Sequence, residues 1–94
     1  MKNFLDLINK IVSDLNQAGF NKDANDLQEL ANLALDKNLS TDIRKDAFKQ
    51  IDSRCHVKWL GDYYLPHLSQ KDWWDSLERL GKSTKKICIK LNYR

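Results

Sequence analysis

Apolar side chains recur along this chain with the period of a helix, and that recurrence decides what it can fold into. From Phe4 to Leu15 they fall at Phe4, Leu5, Ile8, Ile11, Val12 and Leu15, the i, i+3, i+4 spacing that lines one face of a helical turn. Gly19 then supplies a left-handed stop. A second stripe follows at Ala24, Leu27, Leu30, Ala31, Ala34 and Leu35. Asn21 reads as its cap, and Asp23, Asp26 and Glu29 occupy its early outward turns, where carboxylates favour the positive end of the helix dipole. So short a connection cannot carry the chain far before the two apolar faces meet, which implies an antiparallel hairpin.

Leu39-Ser40-Thr41-Asp42 opens a third helix with a hydroxyl cap and an acid in the first turn, and Ile43, Ala47, Phe48, Ile51 and Cys55 continue it at helical spacing. Past His56 the periodicity fails. Gly61-Asp62 and Leu65-Pro66 both break a helix, so Trp59 to Leu68 reads as an ordered loop pinned by its aromatic side chains. Ser69 and Asp72 form a capping-box pattern with Asp in place of Glu or Gln, and Trp73, Trp74, Leu77 and Leu80 mark a fourth helix. The tail fits two periods. Ile87, Ile89, Leu91 and Tyr93 alternate as a strand would, whereas Leu80, Thr84, Ile87, Cys88 and Leu91 fit a helix continuing through Gly81. No other segment offers a strand to pair with, which favours helix. The expectation is an all-α, single-domain bundle over residues 1–94, with four to five helices and an aromatic-rich loop packed over one end.

Ninety-four residues, 41% of them hydrophobic and 31% charged, suffice for one modest core, and a mean hydropathy of −0.65 is too polar for a bilayer. The N-terminus enters a charged amphipathic pattern directly, without an apolar signal segment, so the expected location is the cytoplasm, with no membrane partner. In that compartment Cys55 and Cys88 are expected as free thiols. The net charge of +3 conceals an asymmetry: residues 1–53 carry seven Lys/Arg against nine Asp/Glu, and residues 54–94 carry nine against four. A split of this kind can orient an encounter with a charged partner.

Motifs for chemistry are sparse. Cys55, His56, His67 and Cys88 are zinc-ligand types, but none forms a pair at ligand spacing, and adjacent residues on a helix point about 100° apart, so no metal or cofactor is expected. Cys55 with a histidine could form a thiolate and base pair, yet no glycine-rich oxyanion turn, phosphate-cradling loop or HExxH accompanies them, so no catalytic residue is assigned. Lys82, Lys85, Lys86, Lys90 and Arg94 form a basic run that could follow a phosphate backbone or simply solvate a helix end. A small nucleic-acid-binding or regulatory module using that run is therefore the alternative function.

The densest feature is Cys55 to Leu80, which holds all three tryptophans, two of three tyrosines and both histidines. Trp73 and Trp74 adjoin on one helix and cannot both face fully inward, and Tyr63-Tyr64 poses the same problem. Partly exposed Trp and Tyr commonly anchor protein interfaces. Cys55-His56-Val57-Lys58-Trp59-Leu60-Gly61-Asp62, followed by Trp73-Trp74-Asp75-Ser76-Leu77, resembles a segment of short helical bacterial immunity proteins found beside secreted toxins of contact-dependent inhibition and polymorphic toxin systems. The resemblance covers the C-terminal half and extends loosely to the opening helix, Gly-Phe turn and second helix. It implies a protein, monomeric when free, that binds one cognate toxin domain, often a nuclease, and occludes its active site. Immunity proteins to cationic nucleases are commonly acidic, and this chain departs from that in being basic overall. Locally, however, residues 22–36 hold Asp23, Asp26, Glu29 and Asp36 against Lys22 alone. On this reading Asp23, Asp26 and Glu29 face the toxin's basic groove and Tyr63, Tyr64, Trp59 and Trp74 supply apolar anchors.

Overall fold

The computed structural model describes the backbone of residues 2–56 and 58–92 and the side chains of 3–56 and 58–90. The first stripe forms helix α1, Lys2–Gln17. Phe4, Ile8, Ile11 and Leu15 are fully buried, while Leu5 lies one position off that row and is exposed. Gly19, with φ of 91°, ends the helix. Its N–H donates to Asn16 O at 3.1 Å and the N–H of Phe20 donates to Leu15 O at 2.8 Å, the paired closure that satisfies terminal carbonyls and requires a left-handed residue.

Helix α2 spans Asn21–Leu35 and buries Ala24, Leu27, Leu30, Ala31 and Ala34. Asn21 does not cap it as expected. The closure after α1 delivers Phe20 to the cap position, without a side-chain cap hydrogen bond, and makes Asn21 the first helical residue. Helix α3, Thr41–Arg54, begins as anticipated, with Ser40 Oγ accepting from Ile43 N at 3.3 Å. Ala47, Phe48 and Ile51 are buried, but Ile43 is exposed. The neighbouring Arg44 takes the inward position and donates through Nε to Ala34 O at 2.9 Å, satisfying one of the carbonyls left open at the end of α2.

Helix α4 runs from Gln70 to Asn92 without interruption at Gly81. The tail is therefore helical as far as Asn92, while Tyr93 and Arg94 lie outside the described residues. Ser69 Oγ accepts from Asp72 N at 3.1 Å, and buried Thr84 donates to Leu80 O at 2.7 Å. Successive helices alternate in direction, and α4 returns beside α1, so each helix packs on two neighbours: α2 on α1 and α3, α4 on α3 and α1. Phe4 meets Phe48 edge-on across the centre, centroids 5.6 Å apart. The four helices form an all-α bundle. Its extents are 41 × 23 × 21 Å, and α4, about 34 Å long at ~1.5 Å per residue, spans most of the long axis. Among the described residues no helix is long and apolar enough to cross a membrane.

Candidate functional site

After α3 the chain turns on His56, whose carbonyl accepts from Trp59 N at 3.0 Å and Gly61 N at 3.2 Å. A single 3₁₀ turn follows at Leu60–Asp62. Two consecutive residues of α4 hold it: buried Trp73 donates its indole N–H to Leu60 O at 2.7 Å, and Trp74 donates to Gly61 O at 2.9 Å. Indole N–H groups removed from water need such acceptors. Leu60 at the start of the turn and Leu65 beyond it are driven into the core, so the loop is an ordered part of the bundle end, as its apolar content required.

The loop then crosses to α2. Tyr63 O–H donates to Asp23 Oδ1 at 3.1 Å, and its ring lies 4.7 Å from that of Phe20 at 40°. Burial, followed by the hydrogen bond to the Asp23 carboxylate and its charge, raises the Tyr63 phenol above its usual range, partly offset by the charge of Arg54. The Arg54 guanidinium lies 4.8 Å over the Trp59 ring. Its Nε is buried and has no hydrogen-bond partner among the described residues, and the face of the indole attracts the guanidinium charge. On the opposite side His67 Nε2 lies 3.1 Å from Asp14 Oδ1 of α1. Lys10 joins Asp14 at 3.0 Å and buried Ser76 of α4 at 3.2 Å, fixing the loop's other flank.

Of the seven predicted contact residues, Asp23 and Tyr63 are bonded to each other. Tyr64, next in the chain, is 75% exposed and stands free beside them. Trp59 is 44% exposed, with Arg54 against its ring. Asp26 lies 3.5 Å from Lys22 Nζ one turn back, and Glu29 is exposed further along α2. Trp74, 45% exposed, opens instead onto a shallow depression shared with Cys55, His56, Leu77 and Glu78 at the α3–α4 seam. Since α2 and α4 are diagonal in the bundle, Trp74 does not share a face with the acids. Sequence reasoning missed Phe20 and Arg54 as members of this end. The Gly-Phe turn was a usable signal for the first; a cation five residues before a tryptophan carries none.

Cys55 Sγ lies 3.4 Å from Ile51 O. Burial, then the charge of Asp52, push its thiol up to about 12 despite the opposing charge of Lys85. The thiolate that a Cys–His pair would need is therefore disfavoured at neutral pH. Cys55 and Cys88 are both free, and no group of three or more His, Cys, Asp or Glu able to hold a metal ion occurs among the described residues. The end of the bundle thus offers an aromatic surface on a rigid support, bordered by the carboxylates of α2. Comparison with family models, curated proteins and solved structures finds no match to this chain.

Proposed function

We propose that this protein is a cytoplasmic immunity protein that binds a cognate toxin domain, a nuclease, and neutralises it by covering its active site. The observation that carries the reading is the Tyr63–Asp23 hydrogen bond. It ties the aromatic loop to the acidic helix, so that Tyr64 projects beside the first turns of α2, with Asp26 in the next turn and Glu29 further along the same helix. A ribonuclease or deoxyribonuclease holds phosphates with lysine and arginine, and carboxylates flanking an aromatic anchor complement such a groove in charge and in apolar area. The immunity assignment itself rests on the resemblance of the C-terminal half.

The structure sorts the contact residues by what each can lose. Asp23 and Tyr63 are committed to each other, so changing either disturbs the fold as well as the surface, whereas Asp26 faces Lys22 in an exposed i, i+4 pair that contributes little. Tyr64 and Glu29 are exposed and bonded to nothing within the described chain. In titration calorimetry with a nuclease toxin domain encoded in the neighbouring gene, Tyr64→Ala and Glu29→Lys each weaken binding by at least ~10-fold with an unchanged melting temperature. Full affinity in both variants would reject this interface, and failure of the unaltered proteins to form a complex would reject the function.

A further inference from the structure

The opposite end of the molecule carries a second surface of inverse chemistry. Where the C-terminal half of α4 runs antiparallel to the start of α1, a groove of about 580 Å³ opens along the seam. Leu7 and Ile89 give it an apolar floor, and Arg79, Lys82, Lys85 and Lys86 line it with four cations and no carboxylate. Ile89 is 53% exposed. Arg79 and Lys82 make ion pairs with Asp75 and Glu78 one turn back, at 3.0 and 3.1 Å, but exposed i, i+4 pairs of this kind are weak and yield readily to a competitor. Lys85 and Lys86 have no carboxylate within 4.0 Å among the described residues.

We propose that this groove is a docking site for an amphipathic helix with acidic flanks, supplied by a partner protein. Charge complementarity selects the occupant. A second copy of this chain would bring lysine against lysine along the same seam. A nucleic-acid backbone would engage the cations and leave Leu7 and Ile89 in water, and a flat anionic membrane would not enter a seam between two helices. A helix satisfies both features together: its apolar stripe lies on the floor between α1 and α4, and carboxylates on its borders reach the flanking lysines. The site is independent of the aromatic end, so either surface can fail without the other.

The test uses the full chain and a synthetic peptide with leucines at i, i+3, i+4 and i+7 and glutamates on both borders, followed by fluorescence anisotropy. Saturable binding is expected. It should weaken ~10-fold in Lys85→Glu/Lys86→Glu and ~10-fold in Ile89→Ser, and stay unchanged in Lys71→Glu, the same charge reversal at an exposed lysine of the first turn of α4. All of these positions are exposed, so the fold is retained. The same peptide with lysine borders should not bind. The proposal is overturned if the glutamate peptide fails to bind, or if it binds Ile89→Ser as well as the parent. It also falls if only an RNA duplex or phosphatidylserine vesicles bind in a manner lost with the lysine pair.

Discussion

The two ends of this bundle treat their aromatic and apolar side chains in opposite ways. At the loop end the large side chains other than Tyr64 are clamped: Trp73 and Trp74 donate to consecutive loop carbonyls, Tyr63 to Asp23, and Trp59 has Arg54 over its ring. At the tail end Ile89 lies half in water between lysines, and Cys88 and Ile87 are only partly covered. Specific polar partners fix a shape before any ligand arrives, so the loop end is suited to rigid recognition with little ordering on binding. A seam floored by aliphatic side chains and flanked by flexible lysines suits a partner that brings its own regular structure. One small bundle therefore offers a built surface and an unfilled one.

The sharpest way to break that contrast is to remove the buried clamp. Trp73→Ala deletes the largest fully buried side chain and takes the indole N–H from Leu60 O, which keeps only the Tyr63 N–H at 3.1 Å, a loss of about 3–5 kcal/mol. That is a large share of a domain's typical ~5–15 kcal/mol, so urea unfolding should move to a much lower midpoint. Trp74→Ala, which removes a similar hydrogen bond from a half-exposed ring, should be clearly milder. Equal losses in the two would mean that hydrogen bonding, not burial, holds the loop.

Tyr63→Phe probes the junction of loop and acidic helix at smaller cost. It removes one hydroxyl and leaves the ring on Phe20, so a loss of about 1 kcal/mol is expected. Because the folded-state phenol titrates above its ordinary value of 10.0, its stabilising contribution is complete below pH 10 and disappears as pH rises through the raised pKa. Thermal unfolding of parent and variant should therefore differ at pH 7 and converge in alkali. A difference that persists unchanged at high pH would detach the effect from the Asp23 bond.

Much of this architecture is written in local chemistry. The stripes on α1, α2 and α4 are legible because a helix repeats its face every three or four residues, and Gly19 is legible because the turn there needs positive φ. Ser40 and Ser69 announce their helices through a hydroxyl three residues before the N–H it receives. What stays hidden is the outcome of competition between neighbours: Phe20 rather than Asn21 at a cap, Arg44 rather than Ile43 facing inward. The site was half legible for the same reason. Asp23 and Tyr63 each announce themselves as polar or amphipathic surface residues, but their bond joins positions forty residues apart. Leu7 acquires meaning only once α4 returns beside α1.

The smallest expected effect has the opposite sign and sits where the two regions join. Gly81 lies buried within α4, between the tryptophans of the loop end and the lysines of the tail. A methyl group added there would meet Asp52 Oδ1 at 3.5 Å and Cys55 Cβ at 3.7 Å, both ordinary contact distances. Glycine inside a helix is less stable than alanine by about 0.5–1 kcal/mol, through the freedom it adds to the unfolded chain. Gly81→Ala should therefore raise the melting temperature by a few degrees and leave binding at either end unaltered, because the added methyl meets only Asp52 of α3 and Cys55 at its C-cap. A loss of stability would show that α4 uses its glycine to bend between them, and the two ends would then have to be treated as mechanically coupled rather than independent.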